Sequence, residues 1–268
     1  MPAIDLSRMR KQATRLAEFF FVPDEFLRHL HEMLDFYVNY TVRKPRPAAP
    51  GANLRTYRTP VVVVKQIEQE LAAMASQAEN SDAALELADR LWDEEWLETR
   101  MLAAFLLGSI PPREERLLAR LTAWTQQLFD ADLRTELLNT SLVRLRREAP
   151  DVFLGLVSEW LQPQRPALWA NGIEAVISAA SDPEFHNLPP LMKVIEPVVE
   201  AAPAKLQTEI EELILAFYSA SPTETSYFVR QVLLDSEDPM TAMTFRRISP
   251  SLPMELREEI REFIRGKA

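Results

Sequence analysis

Apolar residues recur three and four positions apart along most of the chain, which is the spacing of an amphipathic α-helix. The clearest example is residues 85–107, where two such stretches are joined by a short acidic link, Asp93 to Glu95. Neither helix can bury its apolar stripe alone, so the pair predicts further helix pairs beside it. Prolines divide much of the remaining chain into similar segments. The pattern predicts roughly a dozen helices with short connections.

The segment that begins at Val61 is compatible with either a strand or a helix. Val61 to Val64 is a β-branched run that, taken alone, is typical of a strand. The helical spacing continues through Ile67, Leu71 and Met74, and Pro60 is well placed for a first turn. We therefore predict a helix here.

The spacing of the helix pairs predicts the fold class. Pairs recur about every thirty to fifty residues, as in HEAT and armadillo arrays. We expect an all-α fold, a HEAT-like helical-repeat solenoid with a concave face. One repeat domain would cover residues 1–268, with an N-terminal helical cap at 1–42, a Pro-rich loop at 43–58 and the main array at 59–268.

Composition excludes several classes of site. The chain has no cysteine, which removes disulfides, thiolate metal sites and cysteine nucleophiles. His29 and His31 are two positions apart and face different ways on a helix. No phosphate-cradling, dinucleotide or zinc-protease motif occurs, so we expect no metal and no cofactor. No export signal or uncharged run long enough for a membrane span is present, and a cytoplasmic location is expected.

Charge limits the choice of partner. The net charge is −10, which counts against a dedicated nucleic-acid binder. Up to Arg58, however, ten Lys and Arg residues face six acidic ones, and the acidic excess lies later. A local anionic ligand therefore remains compatible with the sequence.

Three segments are informative when taken together. They are Tyr57–Arg58–Thr59–Pro60–Val61–Val62 with its continuation to Leu71, then Leu87–Ala88–Asp89–Arg90–Leu91–Trp92, then Glu98–Thr99–Arg100–Met101–Leu102–Ala103. Together these segments resemble the DNA alkylation repair family. The Leu-Trp pair, the acidic link and the Glu-x-Arg-x-x-Ala run are the most specific part. The resemblance extends from about residue 55 to about residue 180.

This resemblance implies a bacterial alkylpurine-DNA glycosylase built of HEAT-like helix pairs. Such enzymes excise cationic N3- or N7-alkylated purines from double-stranded DNA bound on the concave face. The positively charged base is a good leaving group, so an anion near the developing oxocarbenium sugar and an aromatic face suffice. The implied catalytic carboxylate is Asp132, with Asp130 behind it. The implied DNA contacts are Trp124, Arg134, Arg144, Arg147, Arg165 and Trp169.

The sequence departs from the family pattern at two places. Phe129 stands where the family has a Trp, and the second Asp of that signature comes early, at Asp132. After Trp169 the chain continues with Ala170 to Gly172, where the family has arginines. These departures predict that glycosylase activity is reduced or lost.

Each candidate residue also has a structural interpretation. An Asp just before a helix, such as Asp132, commonly caps it. Trp124 and Trp169 fit core packing, and the arginines are interleaved with glutamates, as on a solvated face. The alternative function is therefore a non-catalytic HEAT-repeat scaffold that binds a protein partner. A concave basic cleft would favour the enzyme, whereas an acidic groove would favour the scaffold.

Overall fold

The computed structural model describes residues 5–38, 54–112, 115–126, 131–201, 203–236 and 238–267, with the backbone alone at 115, 131, 132 and 267. Within these ranges the chain is helical and contains no strand, and one isolated bridge pairs Arg55 with Trp96. The all-α fold class is confirmed. Most of the predicted Pro-rich loop, as well as Phe129 and Asp130, lies outside the described residues.

The described residues form fifteen α-helices, somewhat more than the dozen that the pattern predicts. In chain order they are α1 Leu6–Ala17, α2 Pro23–Phe36, α3 Val61–Ala75, α4 Ser81–Trp92, α5 Leu97–Ser109, α6 Glu115–Gln126, α7 Ala131–Ser141, α8 Val143–Glu148, α9 Pro150–Trp160, α10 Trp169–Ala180, α11 Leu188–Ala201, α12 Gln207–Ala220, α13 Pro222–Asp235, α14 Pro239–Ile248 and α15 Met254–Lys267. Short 3-10 turns lie at Ala78–Asn80, Ala204–Leu206 and Ser249–Ser251.

Local sequence explains where many of these helices begin. Four of them start with a proline, Pro23, Pro150, Pro222 and Pro239, whose fixed φ suits a first turn that needs no N–H. Asp5 caps α1 by accepting hydrogen bonds from two backbone N–H groups. The Val61–Ala75 segment is helical, so the helix prediction there is confirmed.

One predicted helix is two. The sequence predicts a continuous helix from Leu133 to Glu148, but α7 ends at Ser141 and α8 begins at Val143. Asn139, Thr140 and Ser141 are poor helix formers. The hydrogen bond from Leu142 N–H to Leu138 O is stretched to 3.4 Å, which marks the end of α7.

The helices pack into two compact units, residues 1–145 and 146–268. Within each unit, helices pack on the next helix but one, as in α1 on α3, α3 on α5 and α5 on α7, or α9 on α11 and α11 on α13. This is the packing expected where helix pairs stack side by side. The layout as one domain and one continuous solenoid with a concave face stays a prediction.

Large apolar side chains fill the interior of each unit, and six aromatic residues of the described ranges are fully buried. In the first unit these are Phe20 and Phe26, and in the second they are Phe153, Trp160, Phe217 and Phe245. Burial of one such side chain stabilises the fold by roughly 1.5–3 kcal/mol. The helical periodicity of the sequence therefore corresponds to real core faces.

Candidate functional site

The Leu-Trp pair at the end of α4 lies in the core of the first unit. The rings of Trp92 and Trp124 stack, with centroids 4.4 Å apart and planes only 3° from parallel. Trp124, a predicted DNA contact, is 6% exposed. An aromatic pair of this geometry stabilises by about 0.5–1.5 kcal/mol beyond simple burial. Trp124 therefore joins α6 to α4, and its face toward Trp92 is not open to a base.

Arg100 of α5 also contacts Trp92. Its guanidinium carbon lies 4.8 Å from the centroid of the Trp92 ring. Because Trp124 covers one face of that ring, Arg100 lies on the other. Its Nε donates a hydrogen bond to the Glu94 carbonyl oxygen, at 3.3 Å. Burial lowers the pKa of Arg100 from its usual value, yet an arginine remains charged at neutral pH.

Glu98, the first residue of the Glu-x-Arg run, holds an incoming segment onto α5. It is 4% exposed. Its Oε1 accepts a hydrogen bond from Thr56 Oγ1 at 2.9 Å and one from Thr59 N at 3.4 Å, and its Oε2 accepts one from Tyr57 N at 3.2 Å. Arg58, which lies between Tyr57 and Thr59, has a left-handed φ of 55°. Charged hydrogen bonds of this kind stabilise a turn that an L-residue otherwise disfavours.

The charged residues of the Leu87–Trp92 run bind neighbouring helices. Asp89 receives two hydrogen bonds from Arg120 of α6, at 2.8 and 2.6 Å. Arg90 pairs with Asp24 of α2 at 2.7 Å. Together with Trp92 and Glu98, these contacts give a structural role to most of the motif that resembles the family. The sequence did not suggest these roles, because the partners are distant along the chain.

A small recess lies in the first unit, where α7 packs against α5. Its polar lining residues are Glu68, Arg100, Glu136 and Thr140, and Trp92 contributes an aromatic side. Its volume is about 10 Å³, which is about the space of one water molecule. Glu68 is 6% exposed and pairs with Lys65 at 2.7 Å. Sequence analysis did not single out Glu68 or Glu136, because both glutamates occur in ordinary helical segments.

The predicted catalytic residue lies in the first turn of α7, the helix that contributes Leu133, Glu136, Leu137 and Thr140 to this lining. Asp132 is the second residue of α7, and Leu133, its neighbour, lines the recess. A carboxylate in a first helical turn is stabilised by the positive end of the helix dipole. The Asp132 side chain lies outside the described atoms.

Three of the predicted phosphate-binding arginines, Arg144, Arg147 and Arg165, contact other parts of the protein. Arg144 Nη1 donates to the carbonyl oxygens of Ser76 and Ser109, at 3.2 and 2.5 Å, at the C-terminal ends of α3 and α5. These carbonyls have no partner within their own helices, and a cation is favoured at this end. Arg165 pairs with Glu159.

Arg147 belongs to a cluster in the second unit. It pairs with Asp182 at 3.5 Å and with Glu184 at 3.0 Å, while buried Arg146 reaches Asp182 at 3.5 Å and Ser178 at 2.9 Å. Burial tends to raise the pKa of Asp182, but hydrogen bonds from the Glu184 N–H and from Arg147 outweigh it and lower that pKa. The cluster ties α8 to the end of α10.

The remaining predicted DNA contacts are Arg134 and Trp169. Arg134 lies on α7, and its buried Nε has no hydrogen-bond partner among the described residues. Trp169 is half-buried at the start of α10, and its Nε1 donates to the Gln162 carbonyl oxygen at 3.0 Å. The predicted residues are divided between the units: Trp124, Asp132, Arg134 and Arg144 belong to the first, and Arg147, Arg165 and Trp169 to the second.

Two classes of site find no support in the part of the chain that the structure describes. No three His, Asp or Glu side chains come together there in a way that could hold a metal ion. None of the described helices is both long and apolar enough to cross a membrane.

Comparison with known proteins identifies the family. A family model described as DNA alkylation repair enzyme matches residues 55–201. This range includes the motif of α4 and α5 and all seven predicted site residues, and it extends past the limit near residue 180 that the resemblance suggested. Searches of curated proteins and of solved structures gave no match. Because the matched range covers more than half of the chain, the protein belongs to the DNA alkylation repair enzyme family.

Proposed function

We propose that the chain binds double-stranded DNA and cleaves the N-glycosidic bond of cationic N3- or N7-alkylated purines, with reduced activity. Membership of a DNA alkylation repair family indicates a role in DNA repair. The observation that supports the more specific proposal is that the matched residues 55–201 contain every predicted site residue. The proposed location is the cytoplasm, and the proposed DNA surface is the concave face of a HEAT-like array.

The chemistry requires little from the protein. The alkylated base already has a positive charge, so it leaves readily, and positive charge then develops on the sugar. A carboxylate near that sugar stabilises the transition state, as in other glycosyl cleavages. We assign this role to Asp132, in the first turn of α7.

The contacts of the other predicted residues support reduced activity. Arg144, Arg147 and Arg165 are bonded to groups of the same chain, so binding a phosphate would compete with those bonds. Trp124 is stacked on Trp92 in the core. Weaker DNA binding and fewer aromatic contacts to the cationic nucleotide are the expected consequences.

Base release by matched variants tests the proposal. The substrate is duplex DNA that contains 7-methylguanine or 3-methyladenine, and the released base is quantified for wild type, Asp132→Asn and Asp130→Asn. We expect slow release by wild type, a loss of at least about a hundredfold in Asp132→Asn and little change in Asp130→Asn, by analogy with the removal of other charge-stabilising groups. Equal rates for wild type and Asp132→Asn would refute the assignment of Asp132.

The second candidate function is a scaffold that binds another protein without catalysis. The observation that favours it is the internal pairing of the arginines, combined with the net charge of −10. Duplex binding at several salt concentrations separates the two functions. A DNA binder loses affinity linearly in log salt, with a slope set by the number of phosphates contacted. Absence of DNA binding at low salt, together with absence of base release, would favour the scaffold.

A further inference from the structure

Helix α15 has an arginine stripe beside its buried face. Arg257, Arg261 and Arg265 are spaced four residues apart, so they lie along one side of the helix. The glutamates of α15 fall on the adjoining side, while Leu256 and Ile260 are buried. Charges of opposite sign are thus separated across α15. This stripe lies outside residues 55–201, the range that the family match covers.

The stripe borders a recess in the second unit. It is lined by Arg246 of α14, by the turn at Ser249 and Pro250, and by Arg261 and Arg265 of α15. The cavity has a volume of about 200 Å³, and none of the described residues that line it is acidic. All three arginines are exposed. None of them forms an ion pair with a carboxylate of the described residues.

A buried hydroxyl supplies a second, independent observation. Ser249 lines the same recess and is 3% exposed, and its Oγ has no hydrogen-bond partner among the described residues. Buried polar groups are nearly always paired. This Oγ is closed to solvent, so it would donate to an acceptor oxygen bound in the recess once the side chain turns toward that recess.

The turn that presents Ser249 is fixed before any ligand binds. Arg257 Nη2 donates to the carbonyl oxygens of Pro250 and Leu252, at 2.8 and 2.9 Å. Ser249 also follows directly on α14, whose buried Phe245 and Ile248 anchor it in the core. A site built on held backbone loses less entropy when it binds a ligand.

We propose that the recess formed by Arg246, Ser249, Arg261 and Arg265 binds a phosphate group. Guanidinium groups match the oxygens of phosphate in geometry and charge, and the hydroxyl adds one more donor. Three cations without a carboxylate exclude a metal ion and favour a multiply charged oxyanion. The source of the phosphate is either the DNA backbone or a free phosphate or phosphomonoester. The site does not depend on the proposed glycosylase function.

Calorimetric titration of the full chain with inorganic phosphate, at constant ionic strength, tests the site. We expect saturable binding in the low-millimolar range or tighter. Arg246→Gln and Arg261→Gln should each weaken it about tenfold or more, and Ser249→Ala by about threefold to tenfold. The matched control is Arg247→Gln, which removes the same charge from the exposed neighbour of Arg246 on α14. It should change the affinity less than twofold.

Competition against a labelled DNA duplex identifies the source. If phosphate displaces the duplex, and Arg246→Gln weakens DNA binding while Arg247→Gln does not, the site takes a backbone phosphodiester. If phosphate binding is lost in Arg246→Gln while DNA affinity is the same in all variants, the site takes a free phosphate or a monoester. The proposal is overturned if neither probe binds, or if Arg247→Gln weakens binding as much as Arg246→Gln. The phosphate-site proposal can fail while the protein still releases alkylated base, and the glycosylase proposal can fail while phosphate still binds.

Discussion

Replacement of Gly108 by Ala should destabilise the first unit, although alanine is the better helix former. Gly108 lies in the last turn of α5, where that helix crosses the end of α7. A Cβ atom built there would lie 2.2 Å from the carbonyl oxygen of Thr140 and 3.3 Å from the Cα of Ser141. Carbon and oxygen atoms approach each other to about 3.3 Å at closest. The two helices would therefore have to separate by about 1 Å.

The size of the effect follows from two opposing contributions. Alanine gains about 1 kcal/mol of helix propensity over glycine. Overpacking typically costs 1–3 kcal/mol, and the upper end applies because both clashing atoms belong to backbone. A gap of about 1 Å also forfeits a substantial part of the dispersion energy along the interface. We expect a net loss of about 1–2 kcal/mol in the free energy of unfolding.

Gly155 provides the matched control. It also lies in a helix, α9, but a Cβ there would meet no atom within 4 Å. Gly155→Ala should stabilise by about 0.5–1 kcal/mol. Urea unfolding of both variants, followed by circular dichroism, measures the difference. A Gly108→Ala variant as stable as wild type, or more stable, would refute the packing argument.

Three further predictions concern polar contacts. Arg144→Met should lower the free energy of unfolding by about 1–3 kcal/mol with little effect on DNA affinity, and a loss of affinity at unchanged stability would instead make Arg144 a phosphate contact. Glu98→Gln should speed amide hydrogen exchange over residues 54–59, measured by mass spectrometry with Glu86→Gln, on the α4 surface, as the control. Because the folded pKa of Asp182 is lowered, its contribution is present above about pH 4 and lost as pH falls through the folded pKa. Asp182→Asn should therefore flatten the acid side of the stability profile, and an unchanged profile would contradict this.

Most helix positions could be predicted from the sequence because local chemistry determines them. Pro60 and the spacing from Ile67 to Met74 suffice to predict α3, even against the β preference of the valine run. The break between α7 and α8 was not predicted, since Asn139 to Ser141 only weaken a helix without forbidding it. What ends α7 there depends on packing against α5, and the sequence does not record that contact.

The site was harder to predict because its contacts join distant parts of the chain. Arg144 donates to Ser76, 68 positions away, and Arg146 reaches Ser178, 32 positions away. An arginine in a helical segment looks the same whether it binds a phosphate, caps a helix or faces solvent. The recess at Arg246 and Ser249 was missed for the same reason, although the four-residue spacing of arginines in α15 was visible.

The motif that identifies the family shows how fold and activity could separate in a chain of this kind. Trp92 packs on Trp124, Glu98 binds the segment at Thr56 to Thr59, and Arg100 holds the link before α5. Each contact stabilises the arrangement of helices, and none requires DNA. A chain could therefore keep this motif under selection for folding alone while Asp132 or its surroundings lost their catalytic role. The motif is therefore informative about architecture. Activity has to be tested by measuring base release in variants of Asp132, at the start of α7.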